Sequence, residues 1–193
     1  MLGAEAISSF EDTSEPNAET CANIYPEMVK GIMARYPWRF LMKQKALTES
    51  GSAPVNKWAK AFVLPPDMLA LPHASFMSSG DKLATSAYEI FGSLLYTDHA
   101  EIYAEYTAHR AEAYWPHYFR DLIVAAMAAQ IAFVVTDQQS TQSHWQGVAF
   151  GTPSDAGEGG LYALATVLDA QGQGQNSAVF SDAFLDARMG GYY

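Results

Sequence analysis

The sequence has little of three things: cysteine, basic residues and hydrophobic runs of membrane length. Cys21 is the single cysteine in 193 residues, so no internal disulfide is available. Lysine and arginine together number 11 against 21 acidic residues, for a formal charge of −10. Because tight nucleic-acid binding needs many clustered cations, this balance argues against such a function. The chain is still long enough to bury a core without metal or disulfide support.

Basic residues are concentrated in one segment. Seven of the eleven lie within residues 30–60, whereas from Asp121 onward Arg188 is the one cation against seven acids. The first twenty residues carry five acids and no lysine or arginine, and so lack the basic start of a signal peptide. We therefore expect a protein that is neither exported nor bound to a membrane. The basic segment suits either an acidic partner surface or a solvated face.

The longest apolar run extends from Leu122 to Val135 and is interrupted by Gln130. Its fourteen residues are fewer than the roughly 20 needed to cross about 30 Å of hydrocarbon. The run therefore predicts a helix over about 115–136 that is packed inside the protein. Its alanines would let neighbouring helices approach closely.

The remaining pattern predicts an α+β fold, mainly a helical bundle with an inserted antiparallel β-meander. Apolar residues three and four apart predict helices over 15–36 and 161–171, the first ended by Pro37. Alternating segments such as "YEIFG" and "SLLYTD" predict strands. The Gly-rich stretch 140–160 is expected to be a loop. The predicted parts are a bundle (1–57 and 111–176), a meander (58–110) and a C-terminal arm (177–193).

Aromatic residues make up 13% of the chain and suit packing in a core or an interface. Four of them flank the predicted helices and are interpreted as packing anchors: Trp38, Phe40, Trp115 and Phe119. The tyrosines of the meander leave a second role open, a stacking platform or ligand pocket: Tyr88, Tyr96, Tyr103 and Tyr106.

Residues capable of catalysis are present without a recognised pattern. His99 and His109 lack metal-binding spacing, and His117 and His144 flank the long helix. Cys21 lies on the apolar face of a predicted helix, where burial makes a thiol inert. We therefore expect no enzyme activity, no catalytic residue, no metal ion and no cofactor.

An ordered series of segments resembles the head-to-tail adaptor of short-tailed bacteriophages, the tail tubular protein A family. The resemblance covers about residues 3–136 and the last dozen. It rests on five stretches: "AETCANIYPEMVKGIMARYPWRFLMKQKAL", "WAKAFVLPPDMLAL", "YEIFGSLLYTD", "IYAEYTAHRAEAYWPHYFRDLIVAAMAAQIAF" and "FLDAR".

Membership would imply a structural virion protein, assembled in the host cytoplasm. It would form a ring, commonly of twelve copies, between the portal protein and the tail nozzle protein, and DNA would pass through the ring. The resemblance also implies that the arm contacts the portal. The arm residues expected to do so are Phe180, Phe184, Leu185, Arg188, Tyr192 and Tyr193.

Two other classes remain open at this stage. One is a different phage tail completion protein, and the other is a ligand-binding or enzymatic α+β domain that uses the aromatic meander as a pocket. Apolar faces left exposed on the single subunit would favour assembly. A pocket holding two buried titratable groups with strongly shifted pKa values would favour an enzyme.

Overall fold

The computed structural model describes residues 16–51, 54, 57–77 and 79–171. Those residues form the α+β fold that the sequence pattern predicts. The helices are α1 (Pro16–Arg35), α2 (His117–Thr136), α3 (Gln139–Phe150) and α4 (Gly160–Ala170). The strands are β1 (Met42–Ala46), β2 (Thr48–Glu49), β3 (Lys60–Val63), β4 (Ala74–Met77), β5 (Tyr88–Phe91), β6 (Leu94–Thr97) and β7 (Ile102–Thr107).

The first helix, α1, follows the predicted pattern. Val29, Ile32 and Met33 are buried, and their spacing places them on one helical face. The helix ends at Arg35, just before Pro37, because a proline disfavours helical geometry in the residue that precedes it. Its buried face forms one side of the bundle core.

The long apolar helix, α2, is packed inside the bundle. Its buried residues are Phe119, Leu122, Ile123, Ala125, Ala126, Ala128, Ala129 and Ala132. The small alanine side chains bring α2 close to α1, α3 and α4, all of which it contacts. The helix ends at Thr136, and the next residue, Asp137, adopts a left-handed conformation with φ of 53° and donates its N–H to the Phe133 carbonyl at 2.9 Å.

The whole of α2 is longer than the fourteen-residue apolar run on which the expectation of a non-membrane helix rests. The helix has 20 residues, and by length and composition alone it passes as a candidate membrane span. Of the most apolar window, 44% is buried within the protein. The core helix of a globular protein meets the same criterion, and the alanine-lined contacts of α2 are typical of one.

The β-structure begins earlier than predicted and is not a simple meander. It forms two antiparallel sheets, with strand orders β1-β7-β4 and β2-β3-β6-β5. β1 and β2 lie before residue 58, inside the segment assigned to the bundle, because β1 pairs along β7 from Met42 opposite Thr107 to Ala46 opposite Tyr103. β1 is a polar edge strand, so local alternation could not reveal this long-range pairing.

The stretch 140–160 is not the predicted loop. Residues Gln139–Phe150 form α3, which packs along α2. Among the described helices, α2 and α3 contact each other most extensively. The glycines that follow serve close packing. A side chain on Gly160, whose φ is 57°, would lie 2.5 Å from the Val148 carbonyl oxygen, and one on Gly151 would lie 2.7 Å from the Cα of Gly159. The composition therefore marks a tight corner between α3 and α4.

Candidate functional site

The four predicted packing anchors lie together where α1, α2 and the entry to β1 meet. Trp38 and Phe119 are fully buried, with ring centroids 5.0 Å apart. The Phe119 ring also lies 4.9 Å from Phe40 and 5.2 Å from Trp115. These edge-on contacts are the favoured geometry for aromatic pairs. The cluster fixes the position of α2 relative to the sheets.

Both indole groups of this cluster have hydrogen-bond acceptors. Trp38 Nε1 donates to the Ile32 carbonyl at 3.1 Å, and Trp115 Nε1 donates to the Arg110 carbonyl at 2.8 Å. Each bond ties a buried ring to the segment that precedes it in the chain. The two tryptophans therefore hold the turns that lead out of α1 and into α2.

Asp169, near the end of α4, is a buried carboxylate that sequence reasoning missed. It accepts the backbone N–H of Arg39 and the hydroxyl of Tyr118, each at 2.7 Å. Burial, and then the hydrogen bond to Asp169, raise the pKa of Tyr118 above its usual range. Asp169 thus joins α4 to α2 and to the chain entering β1. An acid in an otherwise apolar helix segment was the one available signal.

A second tyrosine–carboxylate bond connects α1 with the segment before α2. Tyr25 donates to Glu112 Oε1 at 2.5 Å, and burial together with this bond raises the pKa of Tyr25. Unlike the Asp169 bonds, this one lies at the exposed rim. Both bonds support the bundle and leave the outward face of α2 untouched.

The outward face of α2 is mixed: Arg120, Asp121 and Gln130 are exposed on it, together with a row of apolar residues. Val124 and Val134 have 47% and 60% of their surface exposed. Met127 and Ile131 lie between them at helical spacing and are half-buried. We call these four residues the α2 outer stripe. No described element covers its two valines.

The helix α4 has a comparable outward face. Leu164, Val167 and Leu168 are exposed, opposite the buried Tyr162 and Ala165. Single exposed apolar residues are ordinary, but rows of them along two helices are typical of surfaces that meet another protein.

The second sheet also presents apolar residues to solvent. Val63, Leu94 and Phe91 lie in register across β3, β6 and β5. Phe91 has 59% of its surface exposed, and its ring is 5.9 Å from that of Tyr96. This patch lies on the face opposite Phe62 and Leu95, which are buried in the sheet core.

The tyrosines of the sheets do not converge on one pocket in the described structure. Tyr106 is buried and donates to Asp67 Oδ1 at 3.1 Å, whereas Tyr103, three residues earlier on β7, is exposed. Tyr88 and Tyr96 lie opposite Thr97 and Glu89 on the other sheet. Tyr88 packs against the core of the second sheet, and the Tyr96 ring lies against that of Phe91.

The chemistry-bearing residues remain apart. Across the described ranges, no group of three or more histidine, cysteine and acidic residues is arranged to hold a metal. Cys21 is buried, which raises the pKa of its thiol. His99 lies at a turn where Asp98 Oδ1 accepts the Ala59 N–H at 2.9 Å. His109, His117 and His144 are exposed.

One histidine that the sequence did not single out has a defined partner. The Nε2 atom of His73 is 2.8 Å from Thr107 Oγ1, and burial lowers the pKa of His73. The pair links the loop before β4 to the end of β7. It has no second titratable group within hydrogen-bond distance in the described structure.

The six arm residues expected to contact the portal lie outside the described residues, which end at 171. No family model matches the chain, and a search of curated proteins finds no match. The candidate site is therefore defined by the exposed apolar faces of α2, α4 and the second sheet.

Proposed function

We propose that this chain is a head-to-tail adaptor that assembles as a ring between a portal and a tail nozzle in a short-tailed bacteriophage. The observation that carries the proposal is the α2 outer stripe, an apolar row on a helix already packed on its other side. The ordered resemblance of residues 3–136 supplies the identity of the assembly. Two different surfaces per subunit, such as the faces of α2 and of the second sheet, suit a ring.

A ring needs a heterologous interface, in which one surface of a subunit binds a different surface of its neighbour. If the rotation between neighbours closes, the assembly stops at a defined copy number, commonly twelve in the resembled family. The exposed stripes on α2 and α4 supply the apolar area for such an interface. The segment 177–193 supplies the portal contact in this proposal.

The charge of the chain suits passage of DNA through the ring. With a formal charge of −10, the subunit repels phosphate on average, so DNA would move past the ring without adhering. The proposed role is therefore mechanical, with no catalytic step and no membrane partner.

The first test is the native mass of the chain, measured by light scattering alone and after mixing with its cognate portal ring. The proposal expects a complex with about one chain per portal subunit, even if the free chain is a monomer. A chain that stays separate from the portal at micromolar concentration would contradict it. Deletion of residues 177–193 should abolish the complex and leave the helical bundle folded, as judged by a cooperative thermal unfolding transition.

The second test asks whether the α2 outer stripe is the subunit contact. Val134→Lys should reduce ring formation on the portal by at least tenfold, because a lysine would have to lose its hydration in the interface. Ser143→Lys, an exposed position on α3, is the matched control for the added charge. Equal assembly of the two variants would exclude the stripe as an interface. Unfolding midpoints should stay close to that of the parent chain, since both sites are exposed.

A further inference from the structure

An open groove lies between α1, α2 and α3. Its volume is about 380 Å³. The groove is lined by Met28, Gly31, Ile32, Arg35, Gln130, Gln146, Phe150 and Gly157. Met28, Ile32 and Phe150 supply apolar side chains to the lining, and Arg35, Gln130 and Gln146 supply polar ones. The lining contains no carboxylate.

Arg35 is the cation at this groove. Its guanidinium carbon lies 5.3 Å from the centre of the Phe150 ring and 5.7 Å from that of Tyr162. Stacking on two rings holds the guanidinium in place and leaves its N–H edge free to donate. Within the described ranges Arg35 forms no ion pair, although the chain has nearly twice as many acids as bases.

The two glutamines add hydrogen-bonding capacity to the same groove. Gln130 comes from α2 and Gln146 from α3, and both are exposed. Their amides have no hydrogen-bond partner among the residues that the structure describes. A side-chain amide donates and accepts, and so suits a peptide backbone, which also does both.

The groove has room for a bound chain at Gly31. A Cβ atom built on this residue would have no heavy atom within 4 Å, so the helix surface there is open. At Gly157 the Arg35 guanidinium nitrogen lies 3.4 Å from the corresponding position. Because glycine has no side chain, neither residue places side-chain atoms in the groove beside Arg35.

We propose that this groove binds a peptide segment of another protein that carries a carboxylate beside a large apolar side chain. Arg35 receives the carboxylate through charge-assisted hydrogen bonds, which are about twice as strong as neutral ones. Gln130 and Gln146 bond the peptide backbone, and the apolar side chain lies on Met28, Ile32 and Phe150. The proposal is independent of ring assembly, because a single subunit contains the whole groove.

Charge complementarity favours this occupant over a purely apolar one. Arg35 is exposed, forms no ion pair among the described residues, and has no carboxylate among the lining residues, although Glu158 lies near enough to act on the same tyrosine, Tyr162. An acidic partner would supply the guanidinium with a direct ion pair, which an uncharged peptide would not. A phosphate-bearing ligand would need further cations beside Arg35, and the lining supplies none.

The test is a titration of the full-length chain with acetyl-Ala-Asp-Leu-Phe-amide, followed by amide shifts in nuclear magnetic resonance spectra. The matched control is the same peptide with asparagine in place of aspartate. We expect saturable shifts at α1, α3 and Gln130, and at least tenfold weaker binding of the asparagine peptide. Equal binding of the two peptides, or shifts outside the groove, would overturn the assignment.

Two variants test the groove itself. Arg35→Gln should weaken the aspartate peptide at least tenfold, whereas Lys30→Gln, an exposed basic position on the same helix, should leave binding unchanged. Gly31→Leu should also abolish binding because its side chain occupies the groove. This variant keeps the test decisive if Arg35→Gln folds poorly, since leucine has a higher helix propensity than glycine. Unaltered binding to Gly31→Leu would contradict the proposal.

Discussion

Both faces of α2 carry large apolar residues, but their surroundings are opposite. The inner face carries Phe119 and a row of alanines at close contact with neighbouring helices. The outer face carries Val124 and Val134, equally apolar and open to solvent. A single apolar residue therefore does not identify the core side of this helix. The polar residues Arg120, Asp121 and Gln130 mark its exposed side, and the alanines of the inner face allow neighbouring helices to pack closely against it.

Substitution of one phenylalanine on each face gives the sharpest test of this difference. Phe119→Ala should lower the free energy of unfolding by about 3–5 kcal/mol, because it removes the ring at the centre of the aromatic cluster and leaves a cavity. Phe133→Ala, on the same helix and 48% exposed, should cost less than about 1 kcal/mol. Urea unfolding followed by tryptophan fluorescence measures both. Similar losses for the two variants would mean that Phe133 is also part of a packed core.

Removal of the Asp169 carboxylate tests whether a polar contact holds the inner side together. Asp169→Ala should cost about 2–4 kcal/mol, because the N–H of Arg39 and the hydroxyl of Tyr118 lose their acceptor while remaining shielded from water. Asp169→Asn keeps one acceptor and should cost less. Asp121→Ala, an exposed acid on α2, serves as the control and should change stability by no more than about 0.5 kcal/mol. A loss for Asp169→Ala no larger than that of the control would contradict the interpretation.

A pair of glycine substitutions tests the corner between α3 and α4. Gly160→Ala should destabilise the protein by about 1–3 kcal/mol, because it combines a positive φ with a contact of 2.5 Å to the Val148 carbonyl. Gly147 lies within α3 and has no heavy atom within 4 Å of an added methyl group. Gly147→Ala should therefore stabilise the protein by up to about 1 kcal/mol. Thermal unfolding of both variants measures the contrast. Equal, small effects of the two substitutions would mean that the corner between α3 and α4 is not tightly packed.

The smallest expected effect concerns an exposed ion pair on the sheet side. The Lys43 ammonium nitrogen lies 2.9 Å from Asp67 Oδ2, and its hydrogen bond lowers the pKa of Asp67. The Tyr106 hydroxyl also donates to this carboxylate. Since the folded pKa is the lower one, the stabilisation is present above the ordinary aspartate pKa and is lost as pH falls through the folded value. Both side chains are about half exposed, so Asp67→Asn should cost at most about 0.5 kcal/mol at pH 7. Urea unfolding at pH 7 and at successively lower pH should show this difference shrinking as Asp67 becomes protonated in the folded protein. A difference that does not change with pH would indicate that it arises from packing.

The elements that follow from local pattern were predicted well. The bounds of α1, α2 and α4 agree with the expected helices, because spacing, Pro37 and the apolar run are properties of neighbouring residues. The errors occurred where distant segments meet. β1 is a strand because β7 pairs with it, and α3 is a helix despite its polar, Gly-containing sequence because α2 covers one side of it.

The candidate site shows the same division. The anchors Trp38 and Phe119 were predictable from size and position, whereas the two bonds of Asp169 join residues more than fifty and more than one hundred positions apart in the chain. Arg35 and the groove beside it had no local signal, because the absence of an ion pair to Arg35 within the described residues depends on where distant acids lie in the fold.

By itself the sequence determined the α+β class, three of the four described helices, the buried cysteine and the strong negative charge. These depend on composition and on spacing along one element. The tertiary structure alone decided which apolar residues of α2 are buried, where the sheets begin, and that the glycines after α3 make a corner. Each of those outcomes depends on free energy gained between residues far apart in the chain, which no local pattern contains.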